Sequence, residues 1–361
     1  MACASKQQSQ LKETKQVELC FRFVKPINNL PDPKLIPPPD WAPLKPTKVF
    51  DTYWRFAAER QRIFLARCFC IPSPWTEDNI LLEHKFTNAY RASDRVSQFL
   101  IRNVIYSGEQ TPREIFFRII LFKIFNRIDT WKLLETHFGE LTYKEFKFKH
   151  YDRILSEAID SNRRIYSAAY IMPSGGRNSI HGRKHRMHLH LIQQMIDDQV
   201  PERIAECRGL RQAFEMLLEF PTIGEFLSYQ YVTDLNYSTL LNFSEMSFVC
   251  AGPGAKDGIR KCFYDTAGLN EAEVIKLMAE RQEAEFKRLG LTFNNLWGRK
   301  LQLIDCQNLF CEVDKYSRIA HPEFSGITGR TRIKQKFRPA SDFNLPWYPP
   351  KWGINERILN E

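Results

Sequence analysis

Phe248-Val-Cys-Ala-Gly-Pro-Gly-Ala-Lys-Asp-Gly-Ile-Arg260 decides the fold. An apolar helix end, a Gly-x-Gly bend and a small residue four positions on give the pattern of a helix-hairpin-helix. Gly252 and Gly254 let the backbone turn sharply and approach a phosphate with no Cβ in the way. Ala255 and Lys256 then open the next helix, where unpaired N–H groups, the helix dipole and a cationic side chain all favour an anion. Gly258 permits close packing of two helices. The run is no phosphate-binding loop of the nucleotide kinases, since G-x-x-x-x-G-K-[ST] occurs nowhere in the chain. It is no dinucleotide fingerprint either, because no strand leads into it.

Working outward, helix signals dominate. Near Phe50, Asp51 can cap an amphipathic stretch that runs to about Cys70, and Thr111…Glu114, Thr142…Glu145 and Thr222…Glu225 have capping-box spacing. Apolar residues recur at helical spacing over 115–125, 189–196, 214–220 and 274–286. Strand-like alternation is confined to 165–172 and to the basic run near 330. The expectation is a mainly α protein: a helix-hairpin-helix, DNA-glycosylase-like helical domain over 50–320 with its hairpin at 248–260. A polar and Pro-rich leader fills 1–49, with eight prolines in 25–47, and 321–361 forms a basic, Pro- and aromatic-rich C-terminal arm without helix.

Composition narrows the function. Fifty-two Lys and Arg against 42 Asp and Glu leave a formal charge of +10, which favours a polyanionic partner. Nine scattered cysteines, an odd number without paired C-x-x-C motifs, read as reduced thiols and give no metal centre. The polar amino terminus and the lack of a long apolar run predict no membrane and an intracellular protein, nuclear in a eukaryote. His181, His185, His188 and His190 tempt a metal reading. The same stretch carries Arg177, Arg183, Lys184 and Arg186 with no acid from 174 to 196. Cations repel a metal ion, so phosphate contact, through Arg183 and Lys184 above all, or a solvated loop is the better reading. Arg330, Arg332, Lys334, Lys336 and Arg338 read either as a solvated edge or as an arm that tracks a nucleic-acid backbone.

Several motifs in one order carry a family resemblance over roughly 50–320. They are Glu59-Arg-Gln-Arg62, Pro74-Trp-Thr-Glu-Asp-Asn-Ile-Leu-Leu82, Lys85-Phe-Thr-Asn-Ala-Tyr-Arg91 with Asp94-Arg95, Phe226-Leu-Ser-Tyr-Gln-Tyr-Val-Thr-Asp234, the glycine hairpin, and Asp305-x-Gln-Asn-Leu-Phe-Cys-Glu312 with Asp314-Lys-Tyr316. Together they resemble the helical domain of the 5-hydroxymethyl-deoxyuridine DNA kinases, also described as α-glutamyl/putrescinyl thymine pyrophosphorylase-like, a relative of the helix-hairpin-helix DNA glycosylases. The resemblance implies DNA base hypermodification, in which phosphate or pyrophosphate on a 5-hydroxymethyl pyrimidine is displaced by an amine, or an allied transfer. It implies DNA as partner, with a separate DNA-base kinase or oxygenase acting beside this chain, and no cofactor. It also points to Asp305 as the acid facing the target nucleotide, with a helical insertion at about 270–290 between hairpin and acid.

A base inside a duplex is unreachable, so such an enzyme everts the nucleotide into a pocket of aromatics, amides and cations. Trp75, Asn88, Gln230 and Asn308 suit the base, and Arg60, Arg91 and Arg95 suit a phosphate. Displacement by an amine needs a general base. Asp305 and Glu312, seven residues apart on one predicted helix, face one side with Lys315 close by, and these three are the catalytic candidates. Each has a plainer reading: paired charges on a helix face, a core-stapling Trp, amides that satisfy buried backbone. Two functional alternatives stand beside the transferase: a glycosylase using Lys256 or Asp305, and a non-catalytic DNA-binding scaffold.

Overall fold

The computed structural model describes residues 36–170, 172–173, 182–339 and 345–360. The leader up to residue 35, His181 and Arg177 lie outside them. In chain order the elements are β1 (Lys45–Pro46), α1 (Lys48–Cys68), α2 (Asn79–Glu83), α3 (Arg95–Phe99) continued by a π-helical stretch (Leu100–Ile105), α4 (Pro112–Phe125), α5 (Ile128–Phe138), α6 (Phe148–Asp160), α7 (Lys184–Asp197) and α8 (Val200–Ala205). Then follow α9 (Leu210–Leu218), α10 (Glu225–Tyr237), α11 (Pro253–Cys262), β2 (Phe263–Asp265), α12 (Glu271–Arg288), α13 (Leu303–Ala320) and α14 (Asn355–Asn360). The chain is mainly α, and its one sheet among the described residues is the antiparallel pair β1–β2.

These elements form two compact units. The first comprises the residues up to Asp94 with Ala251–Pro346 and Trp352–Glu361; the second comprises Arg95–Cys250 with Trp347–Lys351. In the first unit α1 is the central strut. Its cap is not Asp51, which sits inside the first turn and complements the helix dipole there, but Thr47, which accepts from Val49 N at 3.0 Å. Its Phe50 and Trp54 pack on Trp41, Phe263 and Phe286 with ring centroids 5.0–5.5 Å apart. The Pro-rich segment from 36 therefore contributes core, since Trp41 is 2% exposed and its indole donates to Glu285 Oε1 at 2.7 Å. Helix α12 occupies the expected insertion, opened by an Asn270–Glu273 capping box.

Helix α11 lies against α13, and its glycines explain how closely. A Cβ on Gly258 would stand 2.1 Å from the Phe310 carbonyl oxygen, and one on Gly254 3.1 Å from Cys311 Sγ. The pair is fastened by buried charges: Lys261 meets Asp314 Oδ1 at 2.9 Å, with both side chains at most 3% exposed, and Arg318 also bonds Asp314. Alanine at 258 raises helix propensity by up to about 1 kcal/mol, yet its methyl would enter backbone, which cannot yield as a side chain can. Gly258→Ala is therefore expected to lower stability by about 1–3 kcal/mol net, read as a fall in the urea midpoint at unchanged slope.

In the second unit, α4 is buried along its whole length from Glu114 to Phe125. Such a helix is a core element, and it takes the charges of Glu114, Arg118 and Lys123 into the interior with it. Its expected capping box does not form. Glu114 instead accepts from Tyr143 N at 2.7 Å and Lys144 N at 3.1 Å, and so fixes the next loop. Thr142 does accept from Glu145 N at 3.2 Å, but that turn precedes α6, which starts only at Phe148. Likewise α10 starts at Glu225 with Gly224 as its cap, and Thr222 adopts φ 70° with its hydroxyl unpartnered. No strand forms among the described residues of 165–172; the basic run makes a single bridge, between His84 and Lys336. The C-terminal segment carries a short 3-10 turn and α14 where an extended arm was expected.

Candidate functional site

Helix α11 begins at Gly252 with no side chain capping it, and Pro253 occupies its first turn. Proline has no N–H, so the amides of Gly254 and Ala255 are the donors this end offers. Gly252 and Ala255 are buried, Lys256 is half-buried, and Pro253 and Arg260 are exposed. The expected helix immediately before the bend is absent: α10 ends at Tyr237, and turns and irregular backbone fill 238–252. The lack of a side chain at Gly254 is accounted for by Cys311, so any phosphate contact there would rest on its N–H alone.

Beside it, the loop from His84 to Asp94 is held against α13 by the acids that the sequence singled out. Asp305, 4% exposed, accepts from Arg91 N at 2.8 Å and, in a capping box with Gln302, from Gln302 N at 2.9 Å. Glu312 accepts from Thr87 N at 2.9 Å and from Lys315 Nζ at 2.6 Å, and the Lys315 ammonium stands 4.5 Å from the centre of the Phe86 ring. Asn308 donates to Thr87 Oγ1 at 2.9 Å. From α1, Arg60 donates to Thr87 O and to Asn88 Oδ1, both at 2.9 Å. Asn88 in turn donates its side-chain amide to Ser93 O and its backbone N–H to Asp94 Oδ1, both at 2.8 Å. Seven candidates, Arg60, Asn88, Arg91, Asp305, Asn308, Glu312 and Lys315, thus meet around one loop.

One member of this group is not among the residues that the sequence nominates. Burial, with a smaller contribution from the neighbouring Glu312, pushes the Asp94 carboxyl up to about 7 against the opposing effects of the Asn88 amide and the Arg60 and Arg91 guanidiniums. A carboxyl so placed is neutral or charged in comparable amounts at neutral pH, which a proton-transfer group needs. Its only sequence signal is its place in the Asp94-Arg95 motif.

The remaining candidates lie elsewhere. Trp75 donates its indole to Ile71 O at 2.7 Å and carries Arg67 over its ring at 5.2 Å, which places it in a structural corner beside Arg62 and Glu59. Gln230, 2% exposed on α10, Arg95, exposed on α3, Arg183 and Lys184 all belong to the second unit. Arg183 pairs with Asp160 at 3.0 Å, and Lys184 lies over Tyr166 at 4.4 Å. His185 and His188 are neither loop nor phosphate contact, since both are fully buried. His185 meets Asp152 at 2.7 Å, and His188, between Tyr166 OH at 2.7 Å and Pro173 O at 3.1 Å, is driven by burial down to about 4. Among the described residues no group of three or more His, Cys, Asp or Glu could hold a metal ion, and Cys68, Cys70, Cys207, Cys250, Cys262, Cys306 and Cys311 are free thiols.

The family model described as "5-hmdU DNA kinase, helical domain" matches residues 47–326, which takes in α11, α13 and the loop between α2 and α3. The chain belongs to this family. A curated relative, the "5-hmdU DNA kinase" of Bacillus phage SP10, is 26% identical over 333 residues, covering 86% of this chain and 50% of the relative. The chain therefore spans about half the length of the curated relative it matches. The relative's phage origin lends no support to the nuclear expectation. No solved structure matches. Among the described residues no helix is long and apolar enough to cross a membrane.

Proposed function

We propose that this chain acts on DNA containing 5-hydroxymethyluracil, holding the everted nucleotide at the loop between α2 and α3 and supporting substitution at its exocyclic carbon. The observation that carries the reading is Asp94: a carboxyl titrating near neutrality among Arg60, Arg91 and Glu312 in the family-matching region. In the proposed step an amine nitrogen attacks the exocyclic carbon, the C–O bond to phosphate or pyrophosphate breaks, and the leaving group departs with the electron pair. Asp94 takes the proton that the nitrogen sheds. Cations beside the site, Arg91 from the loop and Lys315 from α13, offset the charge of the departing group. The chain has no phosphate-binding loop, so the phosphate would be installed by a separate enzyme activity.

DNA itself would be gripped at the uncapped start of α11, where Lys256 adds a cation to two amides. The glycosylase alternative draws less support, because the Asp305 oxygens already accept from two backbone amides. Nucleoside mass spectrometry is the test. DNA bearing phosphorylated 5-hydroxymethyluracil, incubated with the chain and a set of simple amines, is expected to yield a nucleoside that has shed phosphate and acquired the amine. Release of free base would favour the glycosylase, and unchanged nucleosides from DNA that is tightly bound would favour the scaffold.

A further inference from the structure

The chain's positive charge is not spread evenly. Between Glu323 and Asp342 the sequence has no acid, and Arg330, Arg332, Lys334, Lys336 and Arg338 take alternate positions, five charges in nine residues against a chain total of +10. This run lies beyond the residues matched by the family model. It is not a loose strand edge. Lys85 N donates to Gln335 O at 3.0 Å and Phe337 N to Glu83 O at 2.9 Å, and Arg318 Nη1 holds Arg332 O at 3.0 Å. Ile333 and Phe337 are half-buried, and all five cationic residues are exposed. Lys336 pairs with Glu83 at 3.0 Å and so helps pin the run. Among the described residues no acidic side chain lies within ion-pair distance of the other four.

We infer that Arg330, Arg332, Lys334 and Arg338 form a second DNA contact, a rail that engages phosphates independently of the α11 bend. The inference rests on the DNA reading above and enlarges the footprint. Residues two apart in extended chain have Cα atoms no more than ~7 Å from each other, and their long side chains can adjust the spacing of the charges they carry. Duplex DNA carries a phosphate every ~3.4 Å of axis on each strand, so each cation can find its own. Because hydrogen bonds already fix the backbone of the run, little ordering remains to oppose binding. An acidic protein surface would also meet four cations, but it offers no regular file of charges to match a regular file of Lys and Arg.

The full chain and a variant with Arg330, Arg332, Lys334 and Arg338 all changed to Gln would be titrated with an unmodified duplex across a salt series. Lys336 is left in place, and every backbone anchor survives. The slope of log affinity against log salt is expected to shrink by about 3–4 in the variant, at roughly 0.9 for each phosphate no longer neutralised. A parallel Lys256→Gln variant should shrink the slope by about 0.9, the share of a single phosphate. If the parent slope is steep and the fourfold variant, melting as the parent does, reproduces it, the rail is wrong while DNA binding stands. If the parent itself shows no salt-dependent binding, the DNA reading falls and the rail with it.

Discussion

Asp234→Ala is expected to destabilise the second unit by about 3–5 kcal/mol, a large fraction of the stability of an ordinary domain. Asp234 Oδ2 faces Lys123 Nζ at 3.0 Å, with the two side chains 0% and 3% exposed. The Lys123 ammonium also donates to Asn126 Oδ1 at 3.2 Å and lies 4.5 Å from the Tyr170 ring centre. Truncation removes the counter-charge 3.0 Å from an ammonium held in the interior of low dielectric. Replacing both partners, Lys123→Met with Asp234→Leu, removes the charge and its counter-charge together, and stability should recover to near or above the parent. Thermal melts of the three proteins read the effect. A single variant that melts as the parent does, or a double variant as crippled as the single, would show that charge compensation is not what the pair supplies.

Lys123 illustrates where sequence reading stops. Within Ile115–Phe125 a lone lysine suggests the polar face of a surface helix, whereas α4 is buried on every side and its lysine points at an acid more than a hundred residues away. Periodicity reports a helix but not what surrounds it, and α4 lacks the one-sided pattern that would reveal its depth. Local rules fare in proportion to how local their physics is. Asp305 and Glu312 do share a helix. Boxes at Thr111 and Thr222 are missing because Glu114 is drawn to loop amides and Thr222 precedes a glycine cap. The histidines depart from expectation for a related reason. A count of neighbouring cations predicts exposure, but Asp152, Tyr166 and Pro173 approach from other segments. Gly258 is a packing glycine as expected, although its partner is α13 and no helix adjoins the bend on its other side.

The candidate site was legible as a set of motifs and not as an assignment of roles. Asp305 and Glu312 draw attention as acids, yet their oxygens are engaged by Arg91 N, Gln302 N, Thr87 N and Lys315. Their effect is to shape the loop that presents Asp94. A pKa raised by burial cannot be read from residue order, because it depends on which elements exclude water from the group.

Asp94→Asn carries the sharpest consequence. The amide oxygen of asparagine can still accept from Asn88 N, so the loop geometry is kept while the proposed proton acceptor is removed. Turnover of the phosphorylated base should fall by about 10²–10⁴, the usual contribution of a general base. The parent's rate should rise with pH through about 7 as Asp94 ionises, and that limb should vanish in the variant. Stability should move the opposite way. With its folded pKa raised above the unfolded value, Asp94 favours the folded chain fully only at low pH, and that contribution is lost as pH rises through about 7. Asparagine cannot ionise, so above pH 7 the variant should be at least as stable as the parent while nearly inactive, as expected where a functional group is kept at a cost in stability. A variant that loses stability and activity in step would make Asp94 a structural residue of the loop. One that keeps the pH-dependent rate would move the proton acceptor elsewhere and remove the observation on which the enzymatic reading stands.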